Sequence, residues 1–184
     1  MINNFDHGWR KQLLSYAKGQ VLEISVGTGT NFNYYPLAVD VVGTDTSVRM
    51  IEKAKVQAVE SGVRATFIVA PVEELQLPAH SFDTIVCTFG LCETTNPLQI
   101  VNRFNKWCKP GGTILLLERG LSNNSIIRWL QQKWAPHYYR KTGCHPDTDI
   151  KGILEQAGPV IRKAEQKLAG TIYMIWATPS TMKN

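Results

Sequence analysis

The chain alternates short apolar runs, closed by glycine, proline or aspartate, with longer stretches whose apolar residues recur every three or four positions. That alternation of periods two and 3.6 describes an α/β fold. Residues 21–24, 37–43 (LAVDVVG), 65–69, 84–88 and 113–118 (TILLLE) read as five strands. Residues 160–164 and 171–178 (TIYMIWAT) suit closing strands six and seven. Helical spacing covers residues 7–18, 47–61 (SVRMIEKAKVQAVES, stopped by Gly62), 97–107 and 147–157. Thr30-Asn31-Phe32 opens a further helix, and Pro71-Val72-Glu73-Glu74-Leu75 begins a turn or helix at the sheet edge. Lys109-Pro110-Gly111-Gly112 predicts a tight turn into strand five. Residues 120–145 break the rhythm. Ile126, Leu130 and Trp134 recur every four residues, Ile127 widens that stripe, Trp129 flanks it and Arg128 points away. This segment leaves strand five at the edge where ligands gather, so it either covers a pocket or only buries the sheet edge.

Chemistry concentrates in the stretch VLEISVGTG, residues 21–29. Gly27 and Gly29 alternate with Val26 and Thr28, a spacing that lets backbone turn sharply and approach a ligand. Glu23 stands inside the apolar run, where an unpaired carboxylate is costly, so it calls for a cationic or hydrogen-donating partner. Asp45 closes strand two, about where an acid accepts both hydroxyls of a ribose. A helix-capping role for Asp45 or Ser47 is the competing explanation. A strand, a glycine turn and an acid describe a nucleotide-type cofactor site. The dinucleotide fingerprint G-x-G-x-x-G needs a third glycine, and its position holds Phe32.

Composition narrows the picture further. With 184 residues, 43% hydrophobic and 19% charged, the chain fits one globular domain. A net charge of +5 suggests mild attraction to anions such as phospholipid surfaces, or merely a solvated basic face. No run of Lys and Arg resembles a nucleic-acid arm. Cys87, Cys92, Cys108 and Cys144 form no C-x-x-C pair and no zinc pattern. Cys87 and Cys92 lie among apolar residues and are expected as buried reduced thiols. The opening MINNFDHGWRKQ has no apolar signal region, and no run approaches a membrane span. A soluble protein of the reducing cytoplasm is the expectation.

Glu23-x-x-x-Gly27-x-Gly29, Asp45, the Ser81-Phe82-Asp83 entry to strand four and the Lys109-Pro110-Gly111-Gly112 turn together resemble class I S-adenosylmethionine (SAM) methyltransferases over nearly the full length. More narrowly, LEISVGTGTNFNYYP, IVCTFGLCE and GCHPDTDIKGILEQAG resemble the methyltransferase-like 7 type, whose animal members methylate small thiols at membranes. The chain is also similar to bacterial phospholipid N-methyltransferases and quinone-pathway C-methyltransferases. The resemblance implies a Rossmann-like doubly wound sheet, mostly parallel with an antiparallel C-terminal hairpin. It implies one domain over residues 1–184, with residues 120–145 a lid over the acceptor pocket.

By the same resemblance SAM is the cofactor. Glu23 would hold the methionine ammonium through the loop or a water, and Gly27, Thr28 and Gly29 would pass beneath the cofactor. Asp45, with Thr46 beside it, would take the ribose, Val72 and Glu73 would flank adenine, and the carbonyl of Cys87 would lie near the sulfonium. Ser25 replaces the first glycine of the family motif, which either crowds the methionine carboxylate or adds a hydrogen bond. Pro71 stands where the adenine acid is usual, with Glu73 or Glu74 as substitutes. No counterpart of the amino-terminal anchor of the animal members is expected from these residues. The N-P-P-Y motif of base methyltransferases is replaced by Cys87-Thr88-Phe89-Gly90, which argues against DNA adenine as substrate, and no nucleic-acid partner is expected. His137, His145, Glu93 and Glu118 are the available bases. Each serves equally well as a cap or surface residue, so none is assigned catalysis, and no metal site is expected. Methyl transfer to a small or lipid-like acceptor (thiol, amine or quinone-type) is the implied activity, with at most transient contact with a membrane surface. A non-catalytic SAM-fold binding protein and an NAD-binding Rossmann protein are the alternatives.

Overall fold

In the computed structural model, which describes residues 6–180, the strands form a single seven-stranded sheet. They are β1 (Gln20–Ile24), β2 (Asp40–Asp45), β3 (Arg64–Val69), β4 (Phe82–Thr88), β5 (Cys108–Arg119), β6 (Val160–Lys167) and β7 (Ile172–Thr178). Their spatial order is β3-β2-β1-β4-β5-β7-β6. Pairs up to β5 are parallel, whereas β7 pairs antiparallel with both β5 and β6. The expected sheet and its closing hairpin are both present. The first five residues of the opening stretch MINNFDHGWRKQ lie outside the described residues.

Strand alternation sorts the core into two layers. Leu22, Ile24, Ile85, Ile114 and Leu116 face α3 (Pro97–Trp107) and α5 (Ile150–Ala157), meeting Ile100, Phe104, Trp107 and Leu154. Val21, Val41, Val86, Leu115 and Leu117 face the other way onto α1 (His7–Leu14) and α2 (Val48–Ser61), meeting Leu13, Leu14, Ile51 and Ala54. Runs buried on both faces are what a covered parallel sheet demands. Caps set the helix limits. The Ser47 hydroxyl accepts from Met50 N at 3.3 Å, and the Asn96 side chain accepts from Gln99 N at 3.0 Å just before Pro97.

Four expectations are corrected. The helix after the glycine loop is only a 3-10 helix, Thr30–Tyr34, because Tyr35 is extended ahead of Pro36. Lys109-Pro110-Gly111-Gly112 falls within the span of β5, where pairing with β4 shifts between Phe82 and Thr84. Cys87 is a buried free thiol as expected, but Cys92 is joined to Cys144 in a disulfide, because the fold brings together residues 52 apart in sequence. The fourth concerns α4 (Ser125–Thr142), one helix running through Pro136. Its apolar stripe is not buried. Ile126 is 69% exposed, Trp129 57% and Trp134 65%, and Ala135 is the buried residue of the helix. Arg128 is exposed, its Nε donating to Ser122 O at 3.0 Å. No helix among the described residues is long and apolar enough to cross a membrane.

Candidate functional site

β1 has β2 on one side and β4 on the other, so the chain winds away from it in both directions. A crevice beyond the carboxyl ends of these strands is the expected place for a ligand. Two adjoining recesses of about 530 and 880 Å³ lie there, sharing Ser25, Asp45 and Glu93. The first also takes in Thr46, Val72, Glu73 and Gly90, and the second Gly27, Thr28, Thr88 and Phe89.

The loop after β1 is held by its own backbone and by one carboxylate. Val26 N donates to Thr44 O at 2.9 Å, tying the loop to β2. Asp45 Oδ2 accepts from Gly27 N and Oδ1 from Ser47 N, both at 2.9 Å. An ionised carboxylate accepts about four hydrogen bonds, so each oxygen keeps capacity for a ribose hydroxyl. The capping and ribose-binding explanations of Asp45 are therefore compatible. Gly27 has φ +56°, and a Cβ there would meet nothing within 4 Å, so its backbone lies open to the recess. Gly29 has φ +82° and a different purpose: a Cβ there would come within 2.9 Å of the Ala54 backbone, so this glycine lets the loop pack on α2. Ser25 has φ +55°, the conformation a glycine would adopt easily. The serine keeps that shape at a cost of roughly 1–2 kcal/mol.

Glu23 does not line the crevice. It is buried behind it, accepting from Asn31 Nδ2 at 2.8 Å and Tyr35 OH at 2.7 Å. Burial pushes its carboxyl up to about 7, against the lowering effect of Tyr35, Asn31 and Arg10. The hydrogen-donating partners required by its place in the sequence are thus present. Arg10 extends this network: Nη1 donates to Asn31 Oδ1 at 2.6 Å and Thr88 Oγ1 at 3.1 Å, and Nε pairs with Asp6 at 2.7 Å. Cys87 is likewise buried and lines neither recess; burial, then the adjacent Glu118 carboxylate, raise its thiol well above the usual range.

Of the ten expected residues, the recesses bring together Ser25, Gly27, Thr28, Asp45, Thr46, Val72 and Glu73, leaving Glu23, Gly29 and Cys87 behind them. Arg10, Thr88 and Phe89 join the lining without having been expected, and of the candidate bases Glu93 joins it too. Phe89 has φ +58° and two guanidinium groups near its ring, Arg10 at 5.5 Å and Arg119 at 4.6 Å from the ring centre. Its sequence signal was the loss of the N-P-P-Y motif; Arg10 gave no local signal at all.

The candidate bases separate clearly. Glu118 is fully buried, and its Oε1 accepts from Gly90 N at 3.0 Å and Leu91 N at 3.2 Å, which fixes the loop after β4. Burial raises its carboxyl to about 7. Glu93 lines both recesses, and burial, then the nearby Asp45, raise its carboxyl. His145 and His137 are exposed and line neither recess, His145 stacking on Tyr139 at 4.2 Å. An open glycine backbone, an acid with unused acceptor capacity and a second carboxylate shared by both recesses fit an adenosyl cofactor.

The family described as a methyltransferase domain matches residues 22–116, over half of the chain. A mitochondrial methyltransferase of Saccharomyces cerevisiae is 28% identical over 91% of this chain, which spans 40% of that protein. A ubiquinone/menaquinone biosynthesis C-methyltransferase of Bdellovibrio bacteriovorus is 31% identical over 74% of this chain, which spans 61% of its length. A phosphatidylethanolamine N-methyltransferase of Cereibacter sphaeroides is 27% identical, covering 80% of this chain and 72% of that protein. Among solved structures, an S-adenosylmethionine-dependent methyltransferase of Mesorhizobium loti superposes with a TM-score of 0.68 at 15% identity, covering 94% of this chain and 96% of that one. At that identity the likeness is one of fold.

Proposed function

Because the chain belongs to the class I SAM-dependent methyltransferases, with SAM as cofactor, we propose that it transfers a methyl group to a small or lipid-like acceptor of the thiol, amine or quinone type. The observation that carries this reading is the pairing of Gly27 and Asp45 at the end of β1, opening toward Phe89 and Glu93. SAM supplies a methyl on a positively charged sulfur, so the donor needs no further activation. Asp45 would accept from the ribose, the Gly27 backbone would support the methionine side, and Val72 with Glu73 would border adenine. The protein then aligns the acceptor and excludes water. A thiol with an ordinary pKa near 8.5 reacts with little help.

Two relatives, a quinone-pathway C-methyltransferase and a phosphatidylethanolamine N-methyltransferase, favour an apolar acceptor. So does α4, whose exposed apolar residues share the helix with Lys133, Arg140 and Lys141, with no Asp or Glu between Glu118 and Asp147. Such a face suits brief contact with an anionic bilayer, from which an apolar acceptor would enter. The test is radiolabelled methyl transfer from SAM to small thiols, amines, phenols, quinols and phosphatidylethanolamine. Labelled product at turnover rates from any of them supports the enzyme. SAM binding with no transfer to any of them leaves the non-catalytic binding protein as the better description.

A further inference from the structure

Two of the four cysteines lie far apart in sequence yet meet at the joint between the crevice and α4. Cys92 sits in the short 3-10 helix Leu91–Glu93 after β4, and its neighbour Glu93 lines both recesses. Cys144 follows Gly143, the residue that ends α4. The same joint carries one backbone bond, His145 N to Cys92 O at 2.7 Å. Arg119 stands beside both sulfurs, its Nη1 3.8 Å from Cys144 Sγ and 4.0 Å from Cys92 Sγ. A guanidinium beside sulfur favours the thiolate, which is the attacking form in thiol–disulfide exchange. All four sulfurs are buried, but Cys87 and Cys108 have carboxylates as neighbours instead: burial, then Glu118, raise Cys87 well above the ordinary thiol range, and burial, then Asp83, push Cys108 to about 12.

We infer that Cys92 and Cys144 form a reversible thiol–disulfide exchange site, oxidised by small disulfides such as oxidised glutathione, which fastens the end of α4 to the crevice rim. In the reduced protein the Cys144 thiolate attacks one sulfur of the small disulfide and expels a thiolate, which takes up a proton. The Cys92 thiolate then displaces the second small thiol from the mixed disulfide. One S–S bond and two protein thiols become one protein S–S bond and two small thiols, so no further oxidant is required. Excess small thiol reverses both steps.

The consequence is mechanical. The near half of α4 is anchored whichever form is present, because Gln131 Nε2 donates to Gly120 O at 3.0 Å and Pro146 O at 3.1 Å. The far half carries exposed Arg140 and Lys141 and is held at its end by the cysteine pair. Reduction leaves that end to weaker bonds and lets it open locally.

The experiment uses the full wild-type chain and does not depend on methyl transfer. Protein equilibrated with oxidised or reduced glutathione is alkylated, digested and mapped by mass spectrometry, and α4 is probed by limited trypsin cleavage after Lys133, Arg140 and Lys141. The expected result is a Cys92–Cys144 linked peptide under oxidised glutathione and two alkylated cysteines under reduced glutathione. Cleavage after Arg140 and Lys141 should be about tenfold faster in the reduced form, as the open population rises. Arg119→Gln should slow the approach to the oxidised state. Cys144→Ser and, separately, Cys92→Ser should cleave at the reduced rate in both buffers. Free thiols that persist under oxidised glutathione, a glutathione adduct that never resolves, or a bond that excess thiol leaves intact would each overturn the inference. Equal cleavage of the two wild-type forms would overturn the fastening role. Loss of SAM-dependent transfer with this exchange intact would count against the proposed activity alone.

Discussion

At the scale of single residues, Asp45 joins structure and proposed chemistry, since one carboxylate holds Gly27 N and Ser47 N while facing the recess. Hydrogen bonds to a charged group contribute roughly 1.5–3 kcal/mol. Asp45→Ala is therefore expected to weaken SAM binding about 10- to 150-fold, read by calorimetry; an unchanged affinity would place the ribose elsewhere. Glu23 and Glu118 lead to a pH prediction. Both are raised by burial from 4.5 to about 7, so the folded state holds more protons than the unfolded state between those values. Stability must then fall as pH rises through that window, by up to about 1.4 kcal/mol per pH unit for each group. Urea unfolding should show a weaker protein at pH 8 than at pH 6, with a flatter dependence in Glu118→Gln. An identical slope in that variant would remove Glu118 as the cause. Asp45 and the need of Glu23 for donors were legible in the sequence, because both follow from a charge at the end of, or within, an apolar run. Arg10 and Thr88 were not, since their meeting over Asn31 depends on α1 returning to β4.

Among the elements, α2 and α3 were readable nearly to the residue, because Ser47, Gly62 and Pro97 mark their ends by local chemistry. α4 shows where that legibility stops. A period of four in Ile126, Leu130 and Trp134 establishes that an apolar face exists, but not what covers it. The inward positions are instead Gln131, which bonds backbone at Gly120 and Ser122, and Ala135. The exposed Trp129 ring lies 4.9 Å from Lys133 Nζ, a pairing of aromatic and cation suited to the level of lipid headgroups. Vesicle co-sedimentation at low salt should retain the protein on anionic bilayers and release it as salt screens the attraction. Replacing Trp129 and Trp134 together with alanine should reduce the bound fraction several-fold while leaving SAM binding intact. Equal retention by that double variant, or none by the wild type, would leave a small soluble acceptor as the better fit for the crevice.

At the scale of the whole molecule, periodicity supplied seven strands but not their order. The resemblance implied a doubly wound, mostly parallel sheet with an antiparallel closing hairpin, and the sheet β3-β2-β1-β4-β5-β7-β6 has that form. That order matters for function because it splits the chain at β1 and leaves the crevice between β1 and β4. A ligand bound there touches the loops after β1, β2 and β4 together, so it stabilises the folded state as a unit. At 100 times its dissociation constant, a ligand specific for the folded state adds about 2.7 kcal/mol. For a chain of 184 residues each kcal/mol moves the melting temperature by roughly 2–4 °C. SAM or S-adenosylhomocysteine at that excess should therefore raise it by about 5–11 °C. NAD at equal concentration should not, since Phe32 occupies the position of the third glycine and its ring is buried against Tyr35 and Phe67. Asp45→Ala should lose most of the SAM shift while melting within a few degrees of the wild type without ligand. A shift with NAD and none with SAM would reassign the crevice to a dinucleotide, and the loop after β1 would then have to bind a pyrophosphate without that third glycine.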